Sequence, residues 1–249
     1  MRPFLIALQF LTAVPVRLNH PPDATATGHS LLYYPLVGLL IGALLAVLAW
    51  TLGNAPPLLA SAVLLAVWVA VTGALHLDGL ADSADAWVGG HGDRDKTLAI
   101  MKDPRSGTMA VVALFLVLLI KFTALAQLVS NGAWDIIALI PILGRTALVT
   151  LFLTTPYVRP QGLGSILAGH LPCRACMFAV VLTLVAVLAF VGLAASWLLA
   201  AVSGVFLALR RFMLQRLGGT TGDTAGALLE ITETIALVTG VVIGSVSVP

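Results

Sequence analysis

Seven stretches of this sequence stay apolar for about the thickness of a bilayer, and they leave the chain little choice but a helical bundle in a membrane. A spanning helix needs roughly 20 apolar residues. The stretches run approximately over 31–52, 56–77, 108–128, 133–154, 176–193, 195–210 and 225–247. The fifth and sixth form one run from Cys176 to Leu209, too long for a single crossing at ~1.5 Å per residue, so it is divided near Gly192–Ser196. Composition agrees. Hydrophobic residues make up 59% of the 249 and charged ones 10%, where a soluble domain carries about 25% charged residues. The expected fold class is all-α, one polytopic transmembrane domain over 1–249 with about seven spans and acidic cytoplasmic loops.

Smaller features fit the same frame. Phe4–Val14 is too short to span and is expected in the interface or against the bundle. The apolar start, Met1 to Val16, has no small-residue cleavage site and reads as retained. Cys173 and Cys176 offer no disulfide framework. The net charge of +2 is too small for a nucleic-acid footprint, so no nucleic-acid partner is expected. Membrane lipid is the expected surrounding.

Orientation follows from the basic residues. Arg2 and Arg17 precede the first span, and Arg94, Lys96, Lys102 and Arg105 lie between the second and third. Arg159 and Arg174 lie between the fourth and fifth, and Arg210, Arg211 and Arg216 between the sixth and seventh. The alternate turns, near Gly53–Ala55, Ser130–Gly132 and Gly192–Ser196, contain no Lys or Arg. The positive-inside rule makes the basic side cytoplasmic, with the N-terminus in and the C-terminus out.

The acids gather on that same side. Of eleven acidic residues, nine fall in the windows Asp78–Asp103 and Asp223–Glu233, and the others are Asp23 and Asp135. The first window opens His76-Leu-Asp78-Gly-Leu-Ala-Asp82-Ser-Ala-Asp85. If span two continues as helix, the positions i, i+4 and i+7 project within about 60° of one another. Three carboxylates on one stripe repel each other by roughly 0.2–0.5 kcal/mol per i,i+4 pair unless a cation lies between them. Hard oxygen ligands at this density suit Mg²⁺ or Mn²⁺, which commonly combine one or two carboxylates with substrate phosphate oxygens. A merely solvated acidic helix end is the bland alternative; the small residues Gly79, Ala81, Ala84 and Ala86, suited to close packing, argue against it.

The second window reads Gly218-Gly-Thr220-Thr221-Gly-Asp223, then Glu230 and Glu233. Its three acids sit at i, i+7 and i+10, within about 80° on a helix. Glu230 and Glu233 enter the apolar part of the last span, where a carboxylate costs about 2.5 kcal/mol or more unless it meets a cavity, a cation or a partner. The Gly/Thr approach is expected to expose backbone N–H groups to a phosphate, although most such turns are only turns. Between the windows, Gly89–Lys96 and Met101-Lys102-Asp103-Pro104-Arg105-Ser106-Gly107 mix acids with phosphate-binding bases on a Gly-rich loop. Lys121 and Arg145 lie inside spans and are expected to pair with Glu230 or Glu233, or to reach a diphosphate, while Lys121 has the alternative of snorkelling. His170, Cys173 and Cys176 have ligand spacing but no evident fourth zinc ligand. Gly38-x3-Gly42 and Gly240-x3-Gly244 read as helix-packing contacts.

These residues carry a family resemblance. The stretches His76–Asp85, Met101–Gly107, Gly144-Arg145 and Gly219–Glu233, with Ala7–Val16 and Tyr34–Gly38, resemble the cobalamin synthase (adenosylcobinamide-GDP ribazoletransferase) family. The resemblance covers nearly the whole chain, apart from the apolar spans and the loop around Tyr157–Cys176. It implies transfer of the adenosylcobinamide-phosphate group of adenosylcobinamide-GDP to α-ribazole, or its 5′-phosphate, with release of GMP and with Mg²⁺ as cofactor, a late step of cobalamin biosynthesis. The expected metal ligands are Asp78, Asp82, Asp85 and Asp223. Asp85 or Glu230 is the expected general base, with Asp103 a further catalytic candidate. Lys102, Arg105 and Arg145 are expected on the diphosphate, and His76, Thr220, Thr221 and Glu233 as further substrate contacts. The expected location is the bacterial cytoplasmic (inner) membrane, active face inward; the oligomeric state is open, a homo-oligomer included.

Two other readings share parts of the pattern. CDP-alcohol phosphotransferases also use Asp-rich helix ends, but this chain lacks their DGxxAR continuation. Intramembrane acids with basic partners also suit a cation-coupled transporter, whose sites lie nearer the midplane and usually show internal repeats.

Overall fold

The structure, a computed structural model, describes residues 2–18 and 20–246. Met1, and Ser247 at the end of the seventh expected span, lie outside the described residues. Six helical segments among these residues are long and apolar enough to cross a membrane, and a seventh span results if one bent helix pair counts as one crossing. Among the described residues no strand forms beyond an isolated bridge. The expected polytopic helical bundle is the observed architecture.

Helix α1 (Arg2–Leu11) is short and packs against the first span through Phe4 on Tyr33 and Phe10 on Tyr34. That span begins earlier than hydropathy suggests. Asp23 caps α2 (Ala24–His29) by accepting from the Ala26 N–H at 2.6 Å, and a 3₁₀ turn at Ser30–Tyr33 leads straight into α3 (Tyr34–Thr51). Thr27 and Ser30 return their hydroxyls to the carbonyls of Asp23 and Thr27. A polar first turn of this kind is invisible to an apolar-run criterion.

Span two departs most from expectation. The stretch 56–77 is not one helix running on through the acids. Helix α4 (Pro57–Thr72) ends at Gly73, the chain turns by 89°, and α5 (Leu75–Gly89) begins. Gly73 and Ala74 both adopt left-handed backbone, with φ of 60° and 56°. Gly73 accepts this at no steric cost and serves as the helix C-cap, whereas an alanine there is uncommon. The bend aims the acidic helix across the bundle.

A short helix α6 (Arg94–Ile100) then precedes α7 (Thr108–Ser130) and α8 (Trp134–Thr154). The small α9 (Leu163–Gly169) is followed by α10 (Cys173–Val191) and α11 (Ala195–Leu217), separated by a 3₁₀ turn at Gly192–Ala194 where the break is expected. Last comes α12 (Gly222–Val246). The tight turns joining α3 to α4, α7 to α8 and α10 to α11 set these pairs antiparallel, so the basic segments share one end of the bundle.

Burial separates two kinds of helix. The most apolar windows of α8 and α12 are 83% and 61% buried, but those of α10 and α11 only 17% and 22%. The latter turn Phe178, Val181, Phe190 and Trp197 outward, as lipid-facing helices do. Close approach of α3 and α8 depends on glycine: a Cβ at Gly38 would lie 2.6 Å from the Pro141 carbonyl oxygen, and one at Gly42 would collide with that of Ala138. At the second expected motif, a Cβ on Gly240 would meet the Ile136 side chain at 2.6 Å, while Gly244 has ordinary space.

Candidate active site

The acid-bearing helices meet backbone to backbone. A Cβ on Gly79 would stand 2.8 Å from the Asp223 carbonyl oxygen, and one on Gly226 would stand 3.2 Å from the His76 Cα. Only small residues permit this crossing of α5 over the first turns of α12. It places the Asp78–Asp82 part of the stripe beside Asp223. Because α5 is helical throughout 75–89, the expected common face of Asp78, Asp82 and Asp85 holds despite the bend. Asp78 is exposed, and Asp82, Asp85 and Asp223 are half-buried. Among the described residues, the charges bearing on Asp82 are those of Asp78, Asp223, Asp85 and Arg159, of which Arg159 is the positive one. A cavity of about 150 Å³ opens beside the crossing, lined by His76, Asp78, Gly222 and Asp223 among others.

Asp85 has a specific employment. One carboxylate oxygen accepts from the Gly107 N–H at 2.5 Å and the other from the Ala110 N–H at 3.0 Å. It thereby caps the start of α7 from a distance in sequence, and ties down one end of the Met101–Gly107 loop. The other end is held by Met101, whose sulfur lies 3.8 Å from the donating Thr221 hydroxyl. Lys102, Asp103 and Arg105 are carried on the loop between these anchors. Asp103 accepts from Arg105 Nε at 2.9 Å and from a terminal guanidinium nitrogen at 2.7 Å. That guanidinium holds the Asp103 carboxyl down at about 2, so it is a carboxylate at any physiological pH. Lys102 and Arg105 are exposed at the rim.

Thr220 and Thr221 are fully buried. Thr221 and Thr224 cap α12 reciprocally: the Thr221 N–H donates to the Thr224 hydroxyl at 2.8 Å, and the Thr224 N–H to the Thr221 hydroxyl at 3.2 Å. The Thr220 N–H donates to the Pro156 carbonyl at 2.8 Å. The expected open cradle of N–H groups is therefore not what these two positions present; both donors are already used.

That last bond opens a contact that sequence patterns do not signal. Tyr157 and Thr220 form an isolated parallel bridge, completed by the Val158 N–H donating to the Thr220 carbonyl at 2.9 Å. The Tyr157 ring stacks on Phe152, with centroids 6.1 Å apart, and lies so close to Gly164 that a Cβ there would collide with it. The bridge delivers Arg159 to Asp223, where guanidinium and carboxylate pair at 2.7 Å. In the sequence Arg159 is one more basic loop residue; its contact with Asp223 has no periodicity to announce it.

Deeper in the bundle the remaining charges pair with one another, although Arg145 keeps its Nε and one terminal nitrogen without a hydrogen-bond partner among the described residues. Lys121 donates to Glu230 at 2.6 Å and to Glu233 at 2.8 Å, and Arg145 donates to the other oxygen of Glu233. All four are buried, Arg145 and Glu233 completely. The expected pairing of intramembrane bases with intramembrane acids is observed, and Lys121 does not snorkel. Gly144 makes room for it, since a Cβ there would stand 2.9 Å from Glu233 Cγ. The Trp68 ring faces the Lys121 ammonium at 4.7 Å. His76 feels both Arg145 and Lys121 and also lines the cavity at the acid crossing, so it stands between the two groups. The structure thus divides the second acidic window: Asp223 joins the stripe on α5, whereas Glu230 and Glu233 join the buried bases.

Three more bases have structural partners. Arg94 donates to the Leu217 carbonyl at 2.8 Å, Arg216 to the Trp87 carbonyl at 2.7 Å, and Arg210 to the Thr155 hydroxyl at 3.1 Å. Each satisfies groups at or near a helix end. His170 approaches the Ile166 carbonyl, Cys173 is exposed and Cys176 buried. Among the described residues no three His, Cys, Asp or Glu side chains are gathered closely enough to hold a metal ion by themselves.

The family model for cobalamin-5-phosphate synthase matches residues 3–241 of this chain. The chain belongs to that family. Three relatives bear the same name, adenosylcobinamide-GDP ribazoletransferase. One from Pseudomonas putida (strain W619) is 58% identical over 94% of this chain and 96% of its own length. One from Pseudomonas entomophila (strain L48) is 55% identical over 96% and 98%, and one from Stutzerimonas stutzeri (strain A1501) is 57% identical over 96% and 97%. No solved structure matches. Membership in the cobalamin-5-phosphate synthase family bears out the expected resemblance and sets aside the CDP-alcohol phosphotransferase and transporter readings.

Proposed function

We propose that this chain is a membrane-embedded adenosylcobinamide-GDP ribazoletransferase that works at the crossing of α5 and α12. The observation that carries the reading is the set of carboxylates brought there, Asp78 and Asp82 beside Asp223, in a chain of this family. A ribose hydroxyl of α-ribazole, or of its 5′-phosphate, attacks the phosphorus nearer cobinamide. The new phosphorus–oxygen bond replaces the one to GMP, which leaves with the bridging oxygen, and the hydroxyl proton passes to a stripe carboxylate. Transfers of this type depend on positioning and charge neutralisation more than on covalent help from the protein.

The donor chemistry fits Mg²⁺. Among the described residues, Asp78, Asp85 and Asp223 bear on Asp82 with Arg159 as the positive charge, and Mg²⁺ characteristically takes one or two carboxylates and completes its shell with water and substrate phosphate. A site of that design needs no preassembled group of three protein ligands. Asp78, Asp82 and Asp223 are the residues to hold the ion, and Mg²⁺ there supplies neutralisation of charge developing on the diphosphate oxygens. Lys102 and Arg105, on the rim loop, are assigned to the incoming diphosphate. Asp85, with both oxygens committed to backbone donors, is assigned to holding that loop on the stripe. Glu230, Glu233, Lys121 and Arg145 are assigned to tying α7, α8 and α12 together, with His76 between them and the site.

The site shares its end of the bundle with the basic segments, which by the positive-inside rule supports a cytoplasmic active face in a bacterial inner membrane. Purified protein in detergent, given adenosylcobinamide-GDP and α-ribazole, is expected to release GMP only when both substrates and Mg²⁺ are supplied. No release from folded protein under those conditions overturns the reading.

A further inference from the structure

We infer that Arg159 is a substrate-binding residue that holds Asp223 before the metal arrives and then turns its guanidinium to the diphosphate. The inference rests on the transferase reading above. Three observations support it. Arg159 stands 2.7 Å from Asp223, with both side chains 20% exposed and the paired nitrogen and oxygen themselves enclosed. Among the described residues it is the positive charge acting on Asp82, whose other charged neighbours are Asp78, Asp85 and Asp223. Its Nε, the terminal nitrogen nearest Asp223 and that Asp223 oxygen are all enclosed, and none of the three has a hydrogen-bond partner among the described residues. An arginine used only to neutralise one carboxylate usually engages it with two parallel N–H groups; here the contact is an ion pair without an aligned hydrogen bond, and both donors are held in reserve.

The mounting suits such an exchange. The backbone bridge between Tyr157 and Thr220 fixes the root of the Arg159 side chain without using its guanidinium. The side chain can change partner while its loop stays in place. A divalent cation on Asp223 competes directly with the guanidinium for the same carboxylate, and the diphosphate that comes with the cation offers the displaced fork a bidentate anion. The carboxylates therefore never face one another without a counter-charge, whichever cation is present.

The test is Mn²⁺ binding to the full-length protein in detergent, followed by electron paramagnetic resonance without substrates, and GMP release measured on the same preparations. R159Q removes the competing charge and is expected to tighten Mn²⁺ binding roughly fivefold, on the order expected for a partly exposed charge pair. It is also expected to lower kcat/KM for adenosylcobinamide-GDP by about a hundredfold or more, as loss of a preorganised phosphate contact does. R159K keeps the charge without the fork, so Mn²⁺ affinity stays near that of the wild type while turnover still falls. Tighter metal binding cannot come from a damaged site, which separates the proposal from simple misfolding. Unchanged or weaker Mn²⁺ binding in R159Q overturns it, as does wild-type turnover. Failure of the wild-type protein itself to bind Mn²⁺ also overturns it, and with it the metal assignment, whereas GMP release by the wild type reports on the transferase reading separately.

Discussion

Gly79 of α5 and Asp223 of α12 touch through their main chains: a Cβ on Gly79 would lie 2.8 Å from the Asp223 carbonyl oxygen and 3.0 Å from its Cα. The neighbour is backbone, which cannot step aside as a flexible side chain can. This contact sets how near the carboxylates of two distant sequence segments come.

G79A is therefore expected to force the two helices apart at the acids. Overpacking of this kind costs roughly 1–3 kcal/mol, and the displacement falls where the ligands must converge. The expected result is a lowered melting temperature in detergent together with a loss of GMP release larger than the stability change accounts for. Melting curves and turnover on the same preparation check it.

The buried charges of Lys121, Glu230, Glu233 and Arg145 make a different prediction. Removing one partner strands an opposite charge, at a cost of about 3–5 kcal/mol. K121M is expected to lower the melting temperature severely, because Glu230 loses the 2.6 Å donor it has. The double change K121M/E230Q removes the charge imbalance and is expected to recover much of the loss. Thermal melts of the two variants and the wild type decide whether the group is structural.

Asp85 is expected to behave as a cap. D85A removes the acceptor of the Gly107 and Ala110 N–H groups, which costs about 0.5–2 kcal/mol. It also releases one anchor of the loop bearing Lys102 and Arg105. The expected phenotype is a raised KM for adenosylcobinamide-GDP, with proteolysis at the loop becoming faster. D85N keeps one accepting oxygen and is expected to lie between D85A and the wild type in both measurements.

Much of this arrangement is legible in the amino-acid sequence, and the rest is hidden there for physical reasons. The stripe of Asp78, Asp82 and Asp85 follows from helical periodicity, which a bend before Leu75 leaves untouched. The partners of Glu230 and Glu233 follow from depth, since a carboxylate among apolar residues needs a cation and Lys121 and Arg145 are the bases at that depth. The bend itself is hidden because Gly73-Ala74 sits in an apolar run with no proline, and alanine gives no warning of left-handed backbone. Thr220 and Thr221 resemble a phosphate loop because a capping box and an anion cradle use the same small polar residues. The role of Arg159 is hidden because a two-residue bridge between distant segments, not a periodic pattern, brings it to Asp223.

The central claim is that the carboxylates at the α5–α12 crossing perform the transfer and do not hold the fold. Asp82 tests it most directly, being half-exposed and flanked by like charges. The measurement is the rate of GMP release by D82A at saturating adenosylcobinamide-GDP, α-ribazole and Mg²⁺, beside its melting temperature. The account predicts a fall of about a hundredfold or more with a melting temperature equal to or above that of the wild type, since one of the mutually repelling charges is gone. Wild-type turnover by folded D82A would contradict it.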